Sequence, residues 1–169
     1  MNSTSRADGV AGRKTRGAEA GVRKLSLSVQ YAVSPDAAPS RARFRKWAQA
    51  ALQQSGAEVV LRIVDEEEGR TLNRDYRGKD YATNVLTFVY DDLPGGGLAG
   101  DLVLCAPVVV RESGEQGKLV DAHYAHLTVH GMLHLQGYDH ENEAEAQAME
   151  RLESEIVVRL GFPDPYGID

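Results

Sequence analysis

The chain has 169 residues, of which 42% are apolar and 26% charged, with one cysteine and a formal net charge of -6. That length suits a single domain able to bury its own core, and the lone Cys105 excludes a disulfide scaffold or a multi-cysteine zinc site. The acidic balance argues against a general nucleic-acid binder, so no DNA partner is expected. The longest apolar run, Leu102 to Val110, is nine residues and contains Pro107, far short of the ~20 that a membrane span needs.

Charge is unevenly spread. Residues 1–24 carry a net +4, which leaves -10 for the remaining 145. This opening stretch is rich in Gly, Ala, Ser and Arg and has no apolar period, so it reads as a disordered basic tail outside a single domain over 25–169. Being Arg-rich and poor in acid, it also fits an organelle transit peptide. No charged start followed by an apolar stretch marks a secretory signal, and a single thiol suits a reducing compartment. The cytoplasm is the expected location unless the tail is such a transit peptide.

Leu25–Tyr31 alternates apolar and polar residues and predicts a half-buried strand. Ser40 suits the cap of a helix whose stripe is Phe44, Trp47, Ala48, Ala51 and Leu52, with Gly56 just past its end. Glu58–Asp65 is β-branched and predicts a second strand, and a short helix follows from about Glu67 to Tyr76. Val85–Tyr90 and Asp101–Cys105 predict two further strands, joined by the turn-rich Asp91–Gly100. Its Gly95, Gly96 and Gly97 lack a Lys and a following helix, so they suit a hairpin connection rather than a phosphate cradle. Helical patterns then run over Pro107–Gln116, about Leu119–Gln136 and Glu143–Leu160. Asn142 with Glu145 forms a capping box for the last, and Gly161 with Pro163 ends it. Its Met149, Leu152, Ile156 and Leu160 form a core-facing stripe. The whole predicts an α+β domain, helices packed on one small sheet.

The chemistry is concentrated between His123 and His140, which hold all five histidines. On a helix, His126, His130 and His134 share one face at i, i+4 spacing, with His123 near them. Four histidines on one face are costly to bury without partners. Gly137 can take the left-handed conformation that turns the chain back, and His140 lies three residues beyond it. Two ligands from a helix turn and a third after a tight bend bring His130, His134 and His140 to one point, as tetrahedral zinc requires. His126, one turn earlier, suits a buried supporting residue, and Cys105 in its core-like strand a structural one.

The spacing H-x3-H-x5-H with a corner glycine matches the metzincin pattern, but the position of the metzincin general base is Gly131, which has no side chain. A zinc peptidase therefore lacks its base. The run H-G-M-L-H-L-Q-G-Y-D-H resembles instead the YbeY family of metal-dependent endoribonucleases. Tyr76–Asp80 followed by Thr83–Phe88, then Gly100–Leu104, then Glu150 through Tyr166, resemble the family's other signatures in the same order, over roughly Leu25 to Gly167. The resemblance implies a metzincin-like core: a small mixed four-stranded sheet with the ligand-bearing helix central. It implies one zinc per chain on His130, His134 and His140. It further implies cleavage of single-stranded RNA, maturation of the small-subunit ribosomal RNA 3' end and ribosome quality control, with the ribosome or its associated proteins as partners.

Arg77 matches an arginine the family needs for activity, and its guanidinium suits gripping a phosphate in two places and stabilising transition-state charge. Lys79 would add a second phosphate contact. By turn chemistry alone, R-G-K-D would be an exposed turn. Asp101, Asp139 and Glu141 are the candidate proton acceptors. A zinc peptidase, or a non-catalytic ribosome-assembly factor with structural zinc, are the two alternative readings.

Overall fold

A computed structural model describes residues 24–90 and 97–167. Residues 1–23, which carry the basic-tail reading, and 91–96, which carry most of the glycine-rich connection, lie outside the described residues.

Four strands and five α-helices follow in chain order: β1 (Lys24–Tyr31), α1 (Arg41–Ala50), β2 (Gly56–Val64), α2 (Glu66–Arg77), β3 (Val85–Val89), β4 (Leu98–Cys105), α3 (Ala106–Gln116), α4 (Val120–Leu135) and α5 (Glu143–Arg159). The strands form one sheet in the order β1-β2-β4-β3. β1 and β4 flank β2 in parallel, and β3 pairs antiparallel with β4 at the edge. The sheet is therefore mixed, and the α+β expectation holds. The helices are interleaved with the strands more than the chain-order reading suggests, because parallel neighbours need a crossover. α1 makes the connection from β1 to β2.

Local chemistry accounts for the helix ends. Ser40 Oγ accepts from Arg43 N at 3.3 Å and starts α1. The helix stops at Ala51, in right-handed conformation, without a glycine; Gly56 instead opens β2. Asp65 caps α2 by accepting from Glu68 N at 2.8 Å, and Glu66, Glu67 and Glu68 fill the first turn where the dipole favours acids. Gly78 ends α2 at φ 72°. Asn142 accepts from Glu145 N at 2.9 Å and starts α5.

One face of the sheet carries Leu61, Ile63, Leu102 and Leu104 into the main core beneath α1, α4 and α5. The other buries Leu86, Val103 and Cys105 against Leu72 of α2. Cys105 Sγ lies 3.5 Å from Asp65 O and packs under Gly69. An edge-on aromatic series, Trp47 to Phe44 to Tyr124, ties α1 to α4. α4 packs against α1, α3, α5, β3 and β4, with eleven of its sixteen residues buried. Among the described residues, no helix is long and apolar enough to cross a membrane.

At Gly131, α4 lies hard against the sheet. A Cβ there would stand 1.9 Å from Leu102 Cδ1. Overpacking of this kind costs about 1–3 kcal/mol, so Gly131→Ala should lower the urea midpoint, and by less in a Leu102→Ala background that removes the colliding methyl. Additive losses in the double variant would refute this contact.

Candidate functional site

α4 ends in a reciprocal hydrogen-bonded turn. Gly137 N donates to His134 O at 3.0 Å and Tyr138 N to Leu133 O at 3.1 Å, with Gly137 at φ 98°. The turn returns the chain beside the helix that it leaves. Gln136 anchors it by donating to Ala51 O at 2.9 Å and accepting from Gln53 N at 2.6 Å. His140 is thereby carried back to the face that bears His130 and His134.

The three ring centroids make a nearly equilateral triangle: 6.4 Å between His130 and His134, 6.1 Å from His130 to His140, and 6.2 Å from His134 to His140. Three imidazoles bound tetrahedrally to one zinc at about 2.1 Å would place their centroids about 5 Å apart. The triangle is thus open by about 1 Å, and among the described residues no three His, Cys, Asp or Glu side chains already converge to metal-binding distance. His140 is the ring with room to move: it follows a turn, and its side chain is 58% exposed.

The other two rings are oriented from behind. His130 Nδ1 meets Glu153 Oε2 at 2.6 Å, and His134 Nδ1 donates to Tyr138 O at 3.1 Å. Each neutral ring then carries its proton on Nδ1 and keeps the Nε2 lone pair for a ligand, the arrangement seen behind metal-bound histidines. The donor set and its backing fit zinc.

Glu153 is the residue that sequence reasoning missed. It is fully buried on α5, and its Oε1 also meets His126 Nε2 at 2.8 Å and Tyr166 Oη at 2.6 Å. Burial pushes its carboxyl up, but the hydrogen bonds from His126, His130 and Tyr166 prevail and hold it at about 2. Burial, and after it the hydrogen bond to Glu153, push the Tyr166 phenol well up. A signal for Glu153 existed: it falls on the apolar stripe between Met149 and Ile156, where an acid needs partners. His123 has its own acid, Glu112 Oε1 at 2.8 Å, and burial pushes its pKa down.

The histidine triangle opens into a pocket of about 470 Å3. α2 contributes Arg77 to its wall, the following loop Lys79 and Tyr81, β3 Thr87, and the post-α4 turn Asp139 and Glu141. The structure thus brings Arg77 and Lys79 to the three histidines although more than fifty residues separate them in sequence. Neither cation has a hydrogen-bond or ion-pair partner among the described residues, whereas Arg70 is held by Asp80 at 2.8 Å and Arg74 by Asp75 at 3.2 Å. Asp101 is not brought to the site. It lies on β4 and accepts from Tyr90 Oη, away from the pocket. Asp139 uses Oδ1 to accept from His140 N at 2.7 Å.

Fold and site together define a small α+β domain with a three-histidine pocket faced by two unpaired cations. The family model for endoribonuclease YbeY matches residues 32–161. A protein named endoribonuclease YbeY from Methylobacillus flagellatus is 59% identical over 143 residues, which cover 85% of this chain and 94% of that one. Another of that name from Nitrosomonas europaea is 60% identical over 146 residues, covering 86% and 87%. A solution structure from Thermotoga maritima overlaps with a TM-score of 0.48 at 21% identity, covering 86% of this chain and 100% of that one. The chain belongs to the endoribonuclease YbeY family.

Glu153→Ala would leave His126, His130 and Tyr166, all partly exposed, without their shared acceptor, a loss of about 1–3 kcal/mol. Because the folded-state pKa is depressed, this stabilisation is present above about pH 4.3 and is lost as pH falls towards the folded value of about 2. Denaturant titration at pH 7 should show the loss. A variant as stable as the parent there would mean that the cluster does not hold α5 to α4.

Proposed function

We propose that this chain is a zinc-dependent endoribonuclease that cuts single-stranded RNA, acting in ribosomal RNA maturation and ribosome quality control in the cytoplasm. The observation that carries the reading is the joining of three neighbouring histidines and two unpaired cations in one pocket. Family membership supports the reaction class.

His130, His134 and His140 would hold the metal through nitrogens whose opposite ring positions are engaged at Glu153 and Tyr138 for the first two. When bound, zinc supplies Lewis acidity and lowers the pKa of a coordinated water towards ~7. Arg77, at the end of α2, grips the scissile phosphate and neutralises charge that develops on its oxygens. Lys79 takes a neighbouring phosphate. Glu141 is the carboxylate that lines the pocket without a partner among the described residues, and it would accept the proton that an attacking water gives up as its oxygen bonds to phosphorus. Asp139 instead holds the backbone of His140.

A peptidase reading would need a general base at position 131. Even a Cβ there would collide with Leu102, which speaks against a base at that position. A non-catalytic assembly factor would not need Arg77 for activity, which makes that residue the discriminating one.

His134→Ala should lose both bound metal and cleavage of single-stranded RNA, and a chelator should silence the parent protein. Arg77→Ala should keep its metal and its thermal midpoint while cleavage falls about 100-fold or more. Metal analysis and an oligonucleotide cleavage assay read both. Full activity in the demetallated protein would sink the zinc reading, and full activity in Arg77→Ala the catalytic role of that arginine.

A further inference from the structure

Large apolar side chains scattered singly over a surface need no explanation, but a group of them beside a functional pocket does. Three tyrosines between positions 76 and 90 are strongly exposed: Tyr76 at 69%, Tyr81 at 57% and Tyr90 at 53%. Tyr81 lines the histidine pocket itself, next to Arg77 and Lys79. Tyr76 immediately precedes Arg77 on the last turn of α2, and its ring stands edge-on to Phe88 of β3 at 5.3 Å. Tyr90 follows β3 and is tethered by its hydroxyl to Asp101, which pairs across the sheet with Phe88. Tyr81 thus stands in the pocket, while Tyr76 and Phe88, with Tyr90 past the strand's end, lie on the α2 side of the edge strand, opposite the side that packs on α4; two of the three tyrosines are braced.

The charge beside them has the sign to match. Residues 70–80 hold four cations and two acids, and both acids are already paired, Asp80 with Arg70 and Asp75 with Arg74. Arg77 and Lys79 remain for phosphates. Exposed π-faces beside unpaired cations are the means by which proteins hold single-stranded nucleic acid without reading its sequence. A double helix offers no such purchase, because its bases are stacked on one another.

We propose that Tyr81, Tyr76 and Tyr90, with Phe88 bracing Tyr76, form a stacking path for the bases of single-stranded RNA that leaves the histidine pocket. The proposal rests on the endoribonuclease reading for its substrate class and adds the surface that selects single strands. Each ring carries one base, and Arg77 and Lys79 hold the backbone between the path and the histidines. Because stacking is indifferent to base identity, the path sets strand form and length rather than sequence.

The test uses the metal-loaded full chain and a fluorescent single-stranded RNA of about ten nucleotides, with binding read by anisotropy and cleavage read separately. Tyr76→Ala and Tyr81→Ala should each weaken binding about fivefold or more, with metal content and thermal midpoint unchanged. Tyr76→Phe should restore binding, and Tyr76→Leu, apolar but without a π-face, should not. A duplex of the same length should bind more weakly than the single strand and be indifferent to all of these changes. Single-strand binding that survives both alanine substitutions overturns the path, whatever the cleavage assay shows. Equal rescue by leucine also overturns it and marks an apolar surface suited to a protein partner. Tyrosine-dependent binding without any cleavage by the parent would instead uphold the path and remove the endoribonuclease reading on its own.

Discussion

A carboxylate with no solvent exposure is among the more expensive groups a small domain can contain, and the architecture around Glu153 is arranged to make it tolerable. Three donors from two other regions meet its two oxygens: His126 and His130 from α4, and Tyr166 from the segment after α5. The cluster ties the C-terminal segment to α5 and α5 to α4, so the position of the chain's end is linked to the orientation of His130. Removing any donor would leave burial, which pushes the carboxyl up, less opposed. One interaction thus serves packing and site geometry at once.

Two glycines of α4 and its turn do complementary work. Gly131 lets the helix lie against Leu102, so the rings of His130 and His134 emerge beside β3, whose Thr87 forms part of the pocket wall. Gly137, at φ 98°, reverses the chain, and the carbonyl of the next residue is the one that holds His134 Nδ1. The turn that returns His140 therefore also orients His134. A bulkier residue at 131 would push the helix off the sheet, and a branched one at 137 would strain the reversal.

The parts readable from sequence were those whose partners are close along the chain. Eleven residues contain all three converging histidines and the turn glycine, and helical periodicity places them together without knowledge of the rest. The capping pairs Ser40 with Arg43 and Asn142 with Glu145 are equally local. Gly131 was legible as an absent base but not as a packing requirement, because Leu102 lies 29 residues earlier. The insertion of β4 between β2 and β3 was hidden for the same reason, as was the approach of Arg77 to His130. Asp101 shows the opposite failure: a short distance from the other signatures in sequence, it is committed to Tyr90 in space. Glu153 was one of five glutamates on α5, and only its place on the apolar stripe distinguishes it.

The net charge of -6 bears differently on function once the charges have positions. Fields between exposed charges fade over about 8–10 Å at ordinary ionic strength, so the acids of α5 do little at the pocket beyond those that touch it. Around the pocket, pairing has already consumed Asp75 and Asp80, which leaves Arg77 and Lys79 on one wall facing Asp139 and Glu141 on the other. Two free cations make for a weak electrostatic grip. With about two phosphates neutralised, the affinity for a single strand changes with salt at a log–log slope of only about -1.4. With so small an ionic contribution at the pocket, a hold on RNA needs contacts that salt does not screen, which is the part the proposal gives to the exposed rings of Tyr76, Tyr81 and Tyr90.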